Sequence, residues 1–243
     1  METKDLLDIK MPLLEKFREI APGTFRHSQN VSLLCESIAV ELNLNTDLLK
    51  VAGLYHDIGK MNAPDFFSEN QGETNIHDSL EPVISYQIIT RHVGDSVVKI
   101  LQLDEFPDKM KLMDIISQHH GNTILSLIFK KSKTKVDDNY RYKTSVPQSI
   151  EAAVLMIADS VEATARSLDS NDELNETKDR RAVVDATVNR LMQDYQLDDI
   201  KVGDLRRIKT VLCKDMESIY HKREQYGDEK AAIKGADDIN IGD

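Results

Sequence analysis

The sequence predicts an all-α fold. Apolar residues recur at intervals of three and four positions through most of the 243 residues, which is the spacing of one helix face. No strand-like alternation of convincing length, internal repeat or glycine-rich phosphate loop interrupts this pattern. We therefore predict one helical bundle domain over residues 1–225, followed by a polar, acidic tail over residues 226–243.

The first two predicted helices are separated by a proline and a glycine. An amphipathic pattern covers residues 4–20, and the segment Ala21-Pro22-Gly23 interrupts it. Thr24 then stands where it can cap a second helix over residues 25–42. We expect this turn to end one helix before the next begins.

The third predicted helix ends in an unusual group of residues. Thr46 is predicted to cap a helix over residues 47–57, which leads into the segment His56-Asp57-Ile58-Gly59-Lys60. Adjacent helical side chains point about 100° apart, but at a helix end both can converge on one bound ion. Gly59 is the predicted terminator of this helix.

The helical pattern is weakest over residues 60–79. Pro64 and several polar residues interrupt it, and we predict a long loop of the kind that is usually functional or mobile. Helical spacing returns over residues 81–92, 95–103 and 108–120.

A second pair of potential ligands also stands at a helix end. Gly121 directly follows His119-His120, at the end of a predicted helix. A short helix over residues 123–131 then leads into the polar, basic segment 130–143, which is predicted to be a second mobile loop.

The clearest predicted helix has an aspartate in its interior. It covers residues 148–168, and apolar side chains surround Asp159 in its middle. A carboxylate in such surroundings is costly to bury unless a cation accompanies it. Two further helices, residues 178–195 and 202–223, complete the prediction, and His221 in the last of them is expected to be structural.

Charge and composition exclude several classes of function. The formal net charge is -11 and the isoelectric point is near 5.1, which disfavours coating nucleic acid or binding an anionic membrane. Cys35 and Cys213 lack CxxC spacing, so free thiols in a reducing compartment are expected. No apolar run approaches the ~20 residues of a transmembrane helix. We expect a soluble, cytoplasmic protein without a nucleic-acid partner, whose oligomeric state stays open.

Histidines and aspartates at helix ends and on inward-facing positions form a candidate metal centre. They are His27, His56, Asp57, His92, His119, His120 and Asp159. Five histidines with two aspartates suit octahedral iron or manganese better than a tetrahedral structural zinc site. Two ions about 3.5–4 Å apart would lower the pKa of a bridging water and make it the nucleophile for an in-line displacement at phosphorus.

The order of these residues resembles that of a known family. The H…HD…H…HH…D pattern is similar to that of HD-domain (HDIG) metal-dependent phosphohydrolases, and further motifs resemble the phosphodiesterase domain of the seven-transmembrane HD family, which includes PgpH-type cyclic di-AMP phosphodiesterases. The similar segments, within residues 10–225, are 21–28, 56–60, 64–71, 77–78, 88–92, 118–121, 151–153, 158–163, 166–168 and 219–223.

The resemblance implies an HD-domain helical bundle with a dinuclear metal site at its centre. By analogy, His27, His56, Asp57 and Asp159 would hold one ion. The second ion would be held by Asp57, His92, His119 and His120. Asp57 would bridge the two, because a carboxylate has two oxygens. The implied cofactors are therefore two divalent metal ions, iron or manganese.

Further residues are candidates for contact with a phosphodiester substrate. Lys60 follows Asp57 by three positions, and Arg166 lies two helical turns after Asp159. The resemblance adds His77, Arg141 and Tyr142, the last two as a pair that could stack on a purine.

The implied activity is hydrolysis of a cyclic dinucleotide, cyclic di-AMP to linear pApA, by a hydroxide that bridges the metals. The HHExxDGxGYP run of the cyclic di-GMP branch is absent after His119-His120. Three alternatives stay open: an HD-type nucleotidase or phosphomonoesterase, a mixed-valent diiron oxygenase, and a nucleotide-binding sensor without catalysis. The first commonly has a simpler H…HD…D set, so His92 and the His119-His120 pair count against it.

Overall fold

Helices make up most of the chain in the computed structural model, which describes residues 1–72, 74–170 and 177–216. The α-helices are α1 (Pro12–Ile20), α2 (Pro22–Leu42), α3 (Thr46–Tyr55), α4 (Pro82–Leu101), α5 (Lys109–Ser117), α6 (Ser126–Ser132), α7 (Ile150–Ser170) and α8 (Thr177–Gln193). Residues 202–216 are also helical. Short 3-10 helices cover Thr3–Leu7, Ile58–Asn62, Pro64–Phe66, Ser68–Asn70, Ile76–Ser79 and Asp137–Tyr140. The predicted all-α fold is confirmed.

Proline divides the first predicted helix. Residues 4–20 do not form one helix, because a 3-10 helix ends at Leu7 and α1 begins only at Pro12. Proline lacks the N–H of a helix interior and holds the preceding residue in an extended conformation, and Met11 accordingly has ψ 133°. The break before α1 therefore follows from Pro12.

Two predicted helix caps are wrong. α2 begins at Pro22, so Thr24 lies within its first turn, and the N–H of Thr24 donates to Oδ1 of Asn70 at 3.1 Å. α3 is capped by Asn45, whose side chain accepts a 3.0 Å hydrogen bond from the N–H of Leu48. Proline is favoured at the first helical position, and asparagine is a stronger cap than threonine.

The middle of the chain differs from the prediction in two places. α4 runs without interruption where two helices, 81–92 and 95–103, were expected, because Gly94 continues the helix. The segment predicted as a second mobile loop includes the end of α6 and the 3-10 helix Asp137–Tyr140. After this 3-10 helix, the chain lies beside the residues that precede α6. There Ile124 and Arg141 form an antiparallel bridge, and the N–H of Tyr142 donates to the carbonyl of Thr123 at 3.0 Å.

The core is one continuous cluster of buried apolar side chains, which reaches from Leu6 to Met216. α2 packs against α3 and α7, α4 packs against α5, and α7 packs against α8. Every residue from Ala152 to Ala158 is buried, so α7 has neighbours on all sides in its first half. The ligand candidate Asp159 immediately follows this stretch.

Within the described ranges, no helix has both the length and the apolar character needed to cross a membrane. His221, the last part of the predicted helix 202–223 and the tail 226–243 lie outside the described residues. The division into a domain over residues 1–225 and a tail stays a prediction.

Candidate metal centre

Five segments of the chain bring the predicted metal ligands together. His27 lies on α2, His56 and Asp57 follow α3, His92 lies on α4, His119 and His120 follow α5, and Asp159 lies on α7. All are buried except His120, whose side chain is 22% exposed. Three overlapping groups of these side chains have ligand atoms within 4.8 Å of one another. The groups are Asp57 with His92, His119 and His120; His27 with His56 and Asp57; and His56 with His119 and Asp159.

The turn after α3 does not depend on Gly59 in the predicted way. α3 ends at Tyr55, and Asp57 has φ -104° and ψ 9° before the chain enters a 3-10 helix that contains Gly59. A Cβ atom on Gly59 would lie 2.2 Å from the carbonyl oxygen of His92 and 2.5 Å from the amide nitrogen of Ser96. Glycine is needed here because α4 passes so close, and not to terminate α3.

The two carboxylate oxygens of Asp57 face different histidines. Oδ1 lies 3.2 Å from Nε2 of His92 and 3.8 Å from Nε2 of His119. Oδ2 lies 3.2 Å from Nε2 of His56 and 3.6 Å from Nε2 of His27. This arrangement matches a carboxylate that can serve two neighbouring ions.

Asp159 closes the centre from α7. Its Oδ1 lies 3.0 Å from Nε2 of His27 and 3.6 Å from Nε2 of His56. Its Oδ2 lies 3.8 Å from Nδ1 of His120. Asp159 therefore lies beside His27 and His56, the two histidines near Oδ2 of Asp57, and more distantly beside His120.

Three histidines are oriented by backbone carbonyl groups. Nδ1 of His56 lies 2.8 Å from the carbonyl oxygen of Gly53. In the same way, Nδ1 of His92 lies 2.6 Å from the carbonyl oxygen of Ile89, and Nδ1 of His119 lies 2.6 Å from that of Ile116. A carbonyl only accepts hydrogen bonds, so each Nδ1 carries a proton and Nε2 is the nitrogen that faces the centre and can bind a metal ion. Histidine ligands of metals are commonly held in this way.

Two buried polar atoms of the centre have no hydrogen-bond partner in the described part of the chain, and both are suited to bind a cation. Nε2 of His56 and Oδ1 of Asp57 are buried and have no hydrogen-bond partner among the described residues. Such groups are rare in proteins, because each carries the cost of lost solvation. The residues therefore fit a divalent metal ion, which would take both atoms as ligands.

Two histidines beside carboxylates have raised pKa values. Burial lowers the pKa of His27, but the carboxylate of Glu162 and hydrogen bonds to carboxylates outweigh burial and raise it to about 10. Burial also lowers the pKa of His56, but Asp57 counteracts this and raises it to about 9. These imidazoles hold protons in the metal-free protein, and metal binding displaces such protons.

Burial prevails at the adjacent pair His119 and His120, but not at Asp57. Burial, assisted by His56, lowers the pKa of His119 to about 3, and burial with His119 holds the pKa of His120 well below its ordinary value. Burial raises the pKa of Asp57, but His56 and Lys60 outweigh it and hold that pKa well below the usual range. The metal-free centre thus combines the ionised carboxylate of Asp57 with neutral imidazoles at His119 and His120, whereas His27 and His56 must lose a proton before they can bind a metal.

Lys60 lies beside the centre. Its Nζ atom is 2.7 Å from Oδ2 of Asp57, 2.8 Å from Oε1 of Glu69 and 4.7 Å from the centre of the Phe67 ring. Burial lowers the pKa of Lys60, but Asp57 and Glu69 raise it above its ordinary value. Lys60 is therefore an ammonium ion at the edge of the centre.

Arg166 and Tyr142 also lie near the predicted ligands. Arg166 forms ion pairs of 3.8 Å with Glu69 and 3.5 Å with Glu162. The ring of Tyr142 is buried and stacks on His120, with the ring centres 4.4 Å apart. Tyr142 therefore lies against His120, whereas Arg166 and Lys60 share the carboxylate of Glu69.

His77 and Arg141 are engaged elsewhere. Nε2 of His77 donates to the carbonyl of Phe66 at 2.7 Å. The guanidinium of Arg141 contacts Asp137 at 3.1 Å and Asp194 at 3.0 Å. Their proposed contacts with substrate stay predictions.

Sequence reasoning missed two buried carboxylates. Glu69 lies in the predicted loop and binds Lys60, and its Oε1 also accepts from the hydroxyl of Thr24 at 3.0 Å. Glu162 is fully buried and contacts Nδ1 of His27. Glu162 follows Asp159 by three positions and so shares its helix face, which was a usable signal. The partners of Glu69 are far apart in sequence, so periodicity alone could not identify them.

Comparison with known proteins establishes the family. A family model described as HD domain matches residues 24–164, more than half of the chain. The chain belongs to the HD domain family. This membership confirms the resemblance seen in the motifs, and it agrees with the helical fold that surrounds the centre.

Two similar relatives of this HD domain protein are cyclic-di-AMP phosphodiesterases PgpH. The protein from Listeria monocytogenes is 36% identical over 237 residues, which cover 93% of this chain and 32% of the relative. The protein from Bacillus subtilis is 36% identical over 242 residues, which cover 96% of this chain and 33% of the relative. The chain thus spans about a third of the length of these curated relatives.

The fold is similar to a solved HD domain. The crystal structure of the L. monocytogenes phosphodiesterase PgpH HD domain in complex with cyclic di-AMP is 35% identical, with a TM-score of 0.78. The match covers 87% of this chain and 98% of that domain. The HD-domain bundle predicted from sequence is therefore confirmed.

Proposed function

We propose that this chain is a dinuclear metal-dependent phosphodiesterase that hydrolyses cyclic di-AMP to linear pApA. The observation that carries the proposal is the position of Asp57, whose two oxygens face separate groups of histidines. The names of the PgpH relatives and the bound nucleotide of the solved HD domain support the choice of substrate class.

The proposed centre holds two divalent ions, iron or manganese. His27, His56, Asp57 and Asp159 would hold one. Asp57, His92, His119 and His120 would hold the other. When bound, two such ions supply positive charge for phosphoryl oxygens and lower the pKa of a coordinated water. Imidazole and carboxylate ligands in these numbers suit octahedral iron or manganese.

The cations beside the centre would bind the phosphodiester. The ammonium of Lys60 lies within hydrogen-bond distance of Asp57, so it stands next to the place where a phosphate on the ions would lie. The side chain of Arg166 is 26% exposed and pairs with Glu69 and Glu162, and its guanidinium would approach a second phosphate oxygen. Both side chains are cations and can neutralise charge that grows on the phosphoryl oxygens.

The aromatic surface of Tyr142 would contact a base. Its ring stacks on His120, which fixes its orientation next to the centre. Burial raises the pKa of the Tyr142 phenol above its ordinary value, so the side chain is neutral and suited to stacking on a purine. His77 and Arg141 are proposed as further substrate contacts on the resemblance to the family, and both would have to leave their present partners to reach a substrate.

The free thiols Cys35 and Cys213 support the proposal that the chain functions in the reducing cytoplasm. Its proposed partner is a small cyclic dinucleotide and not a nucleic acid, in line with the net charge of -11.

The proposal is tested with one assay. Purified protein is incubated with Mn²⁺ or Fe²⁺ and with cyclic di-AMP, cyclic di-GMP or a mononucleotide, and products are separated by chromatography. Formation of pApA, dependent on metal, is the expected result. Release of phosphate from the mononucleotide with no linear dinucleotide would identify a phosphomonoesterase instead. Absence of hydrolysis with both metals loaded would contradict the proposal.

A further inference from the structure

The hydrogen bond at Nδ1 distinguishes His27 from the three histidines that backbone carbonyls orient. His56, His92 and His119 each pair with a neutral carbonyl three residues earlier in their own segment. Nδ1 of His27 pairs instead with the carboxylate of Glu162 on another helix. One predicted ligand of the centre thus has an anionic partner that the others lack.

We propose that Glu162 is a positioning residue that orients His27 and strengthens metal binding at the half of the centre containing His27, His56 and Asp57. The proposal rests on the dinuclear centre of the proposed function. It assigns a role to a carboxylate that is not itself one of the predicted ligands.

Both oxygens of Glu162 are held in place. Oε1 accepts a 2.8 Å hydrogen bond from Nδ2 of Asn30, which lies three residues after His27 on α2. Oε2 contacts Nδ1 of His27 and lies 3.5 Å from Nε of Arg166. The side chain of Glu162 is fully buried, so water does not compete for these contacts. The carboxylate therefore has one orientation relative to the imidazole ring.

This orientation directs the opposite nitrogen of His27 to the centre. Nε2 lies 3.0 Å from Oδ1 of Asp159 and 3.6 Å from Oδ2 of Asp57. When Nδ1 carries the proton shared with Glu162, Nε2 presents its lone pair to an ion between these aspartates. A carboxylate acceptor makes the imidazole a stronger electron donor than a carbonyl acceptor does, and loss of such an outer partner typically weakens metal binding about 10–100-fold.

The test is a calorimetric titration of Mn²⁺ into metal-free protein, without nucleotide. Wild type is compared with Glu162→Ala, which removes the acceptor, and with Glu162→Gln, which keeps the shape and a hydrogen-bond acceptor but removes the charge. We expect one of the two Mn²⁺ affinities to fall about 10–100-fold in Glu162→Ala and by less in Glu162→Gln, while the other affinity changes little.

Glu151→Gln is the matched control. Glu151 is another buried carboxylate of α7, but it pairs with Lys111 at 2.6 Å and contacts no histidine of the centre. We expect wild-type Mn²⁺ affinities in this variant. Circular dichroism of each metal-free variant tests folding, and if Glu162→Ala fails to fold, the isosteric Glu162→Gln decides the outcome.

Two results would overturn the proposal. Wild-type Mn²⁺ affinities in a folded Glu162 variant would show that Glu162 does not support His27, and an equal loss in Glu151→Gln would show a general effect of α7. Hydrolysis is measured separately. A wild-type protein that binds two Mn²⁺ ions but opens no cyclic dinucleotide would contradict the proposed function alone, and the comparison of Mn²⁺ affinities would remain valid.

Discussion

The amide of Gly59 donates a 2.9 Å hydrogen bond to the hydroxyl of Ser96. Both residues are buried, and the bond joins the turn after His56-Asp57 to α4 one helical turn beyond His92. Ligand candidates from two distant parts of the sequence are therefore joined by a hydrogen bond between a backbone amide and a side-chain hydroxyl. The close approach allows no side chain on residue 59.

Gly59→Ala is predicted to destabilise the protein. A methyl group would overlap the backbone of α4, with the carbonyl oxygen of His92 at 2.2 Å, and overpacking of this kind typically costs about 1–3 kcal/mol. Gly94→Ala is the matched control, because its Cβ would meet no atom within 4 Å and alanine is favoured in a helix by up to about 1 kcal/mol. Urea unfolding of metal-free protein measures both changes. Equal stability of Gly59→Ala and wild type would refute the contact.

Removal of metal is predicted to lower the melting temperature. The centre buries carboxylates and imidazoles that bind an ion only in the folded state, and free metal at 100 times its dissociation constant adds about 2.7 kcal/mol for each site. Differential scanning calorimetry with Mn²⁺ and with excess chelator measures the difference. An unchanged melting temperature would contradict metal binding by the folded chain.

Asp57→Ala is predicted to abolish binding of both ions, because each histidine group depends on one oxygen of the same carboxylate. Asp95→Ala provides a control, since the carboxylate of Asp95 forms an ion pair of 3.4 Å with Arg91 one turn earlier on α4 and Asp95 is not a predicted ligand. Metal content is measured by atomic emission after gel filtration. Two equivalents of metal in Asp57→Ala would disprove the bridging role.

Lys60→Met is predicted to keep both metal ions and to lose activity on cyclic di-AMP. A hydrogen bond to a charged group is worth about 1.5–3 kcal/mol, so kcat/KM should fall about 10–100-fold. Lys50→Met is the control, because Lys50 has a similar ion pair with Glu36 at 2.8 Å and no contact with the centre. Steady-state rates and metal content are measured on the same samples. Full activity in Lys60→Met would exclude the role in phosphate binding.

The spacing of residues along the sequence was sufficient to predict part of this structure. Apolar spacing predicted helices in nearly all the right regions, because that spacing alone decides which face of a helix can be buried. His56-Asp57 and His119-His120 stand at predicted helix ends and are followed by a glycine, which indicated them as candidate ligands. The structure brings these residues into one cluster. The errors lie at helix boundaries, where Pro12, Pro22 and Asn45 competed with other signals.

The sequence by itself determined that the chain is helical, that it carries the HD family motifs and that a set of histidines and aspartates stands at helix ends. The tertiary structure alone decided which groups surround them. Glu162 reaches His27 across 135 positions, and Glu69 reaches Thr24 across 45. Such pairs depend on how helices pack, and packing depends on shape complementarity over the whole core, which no local spacing of residues encodes.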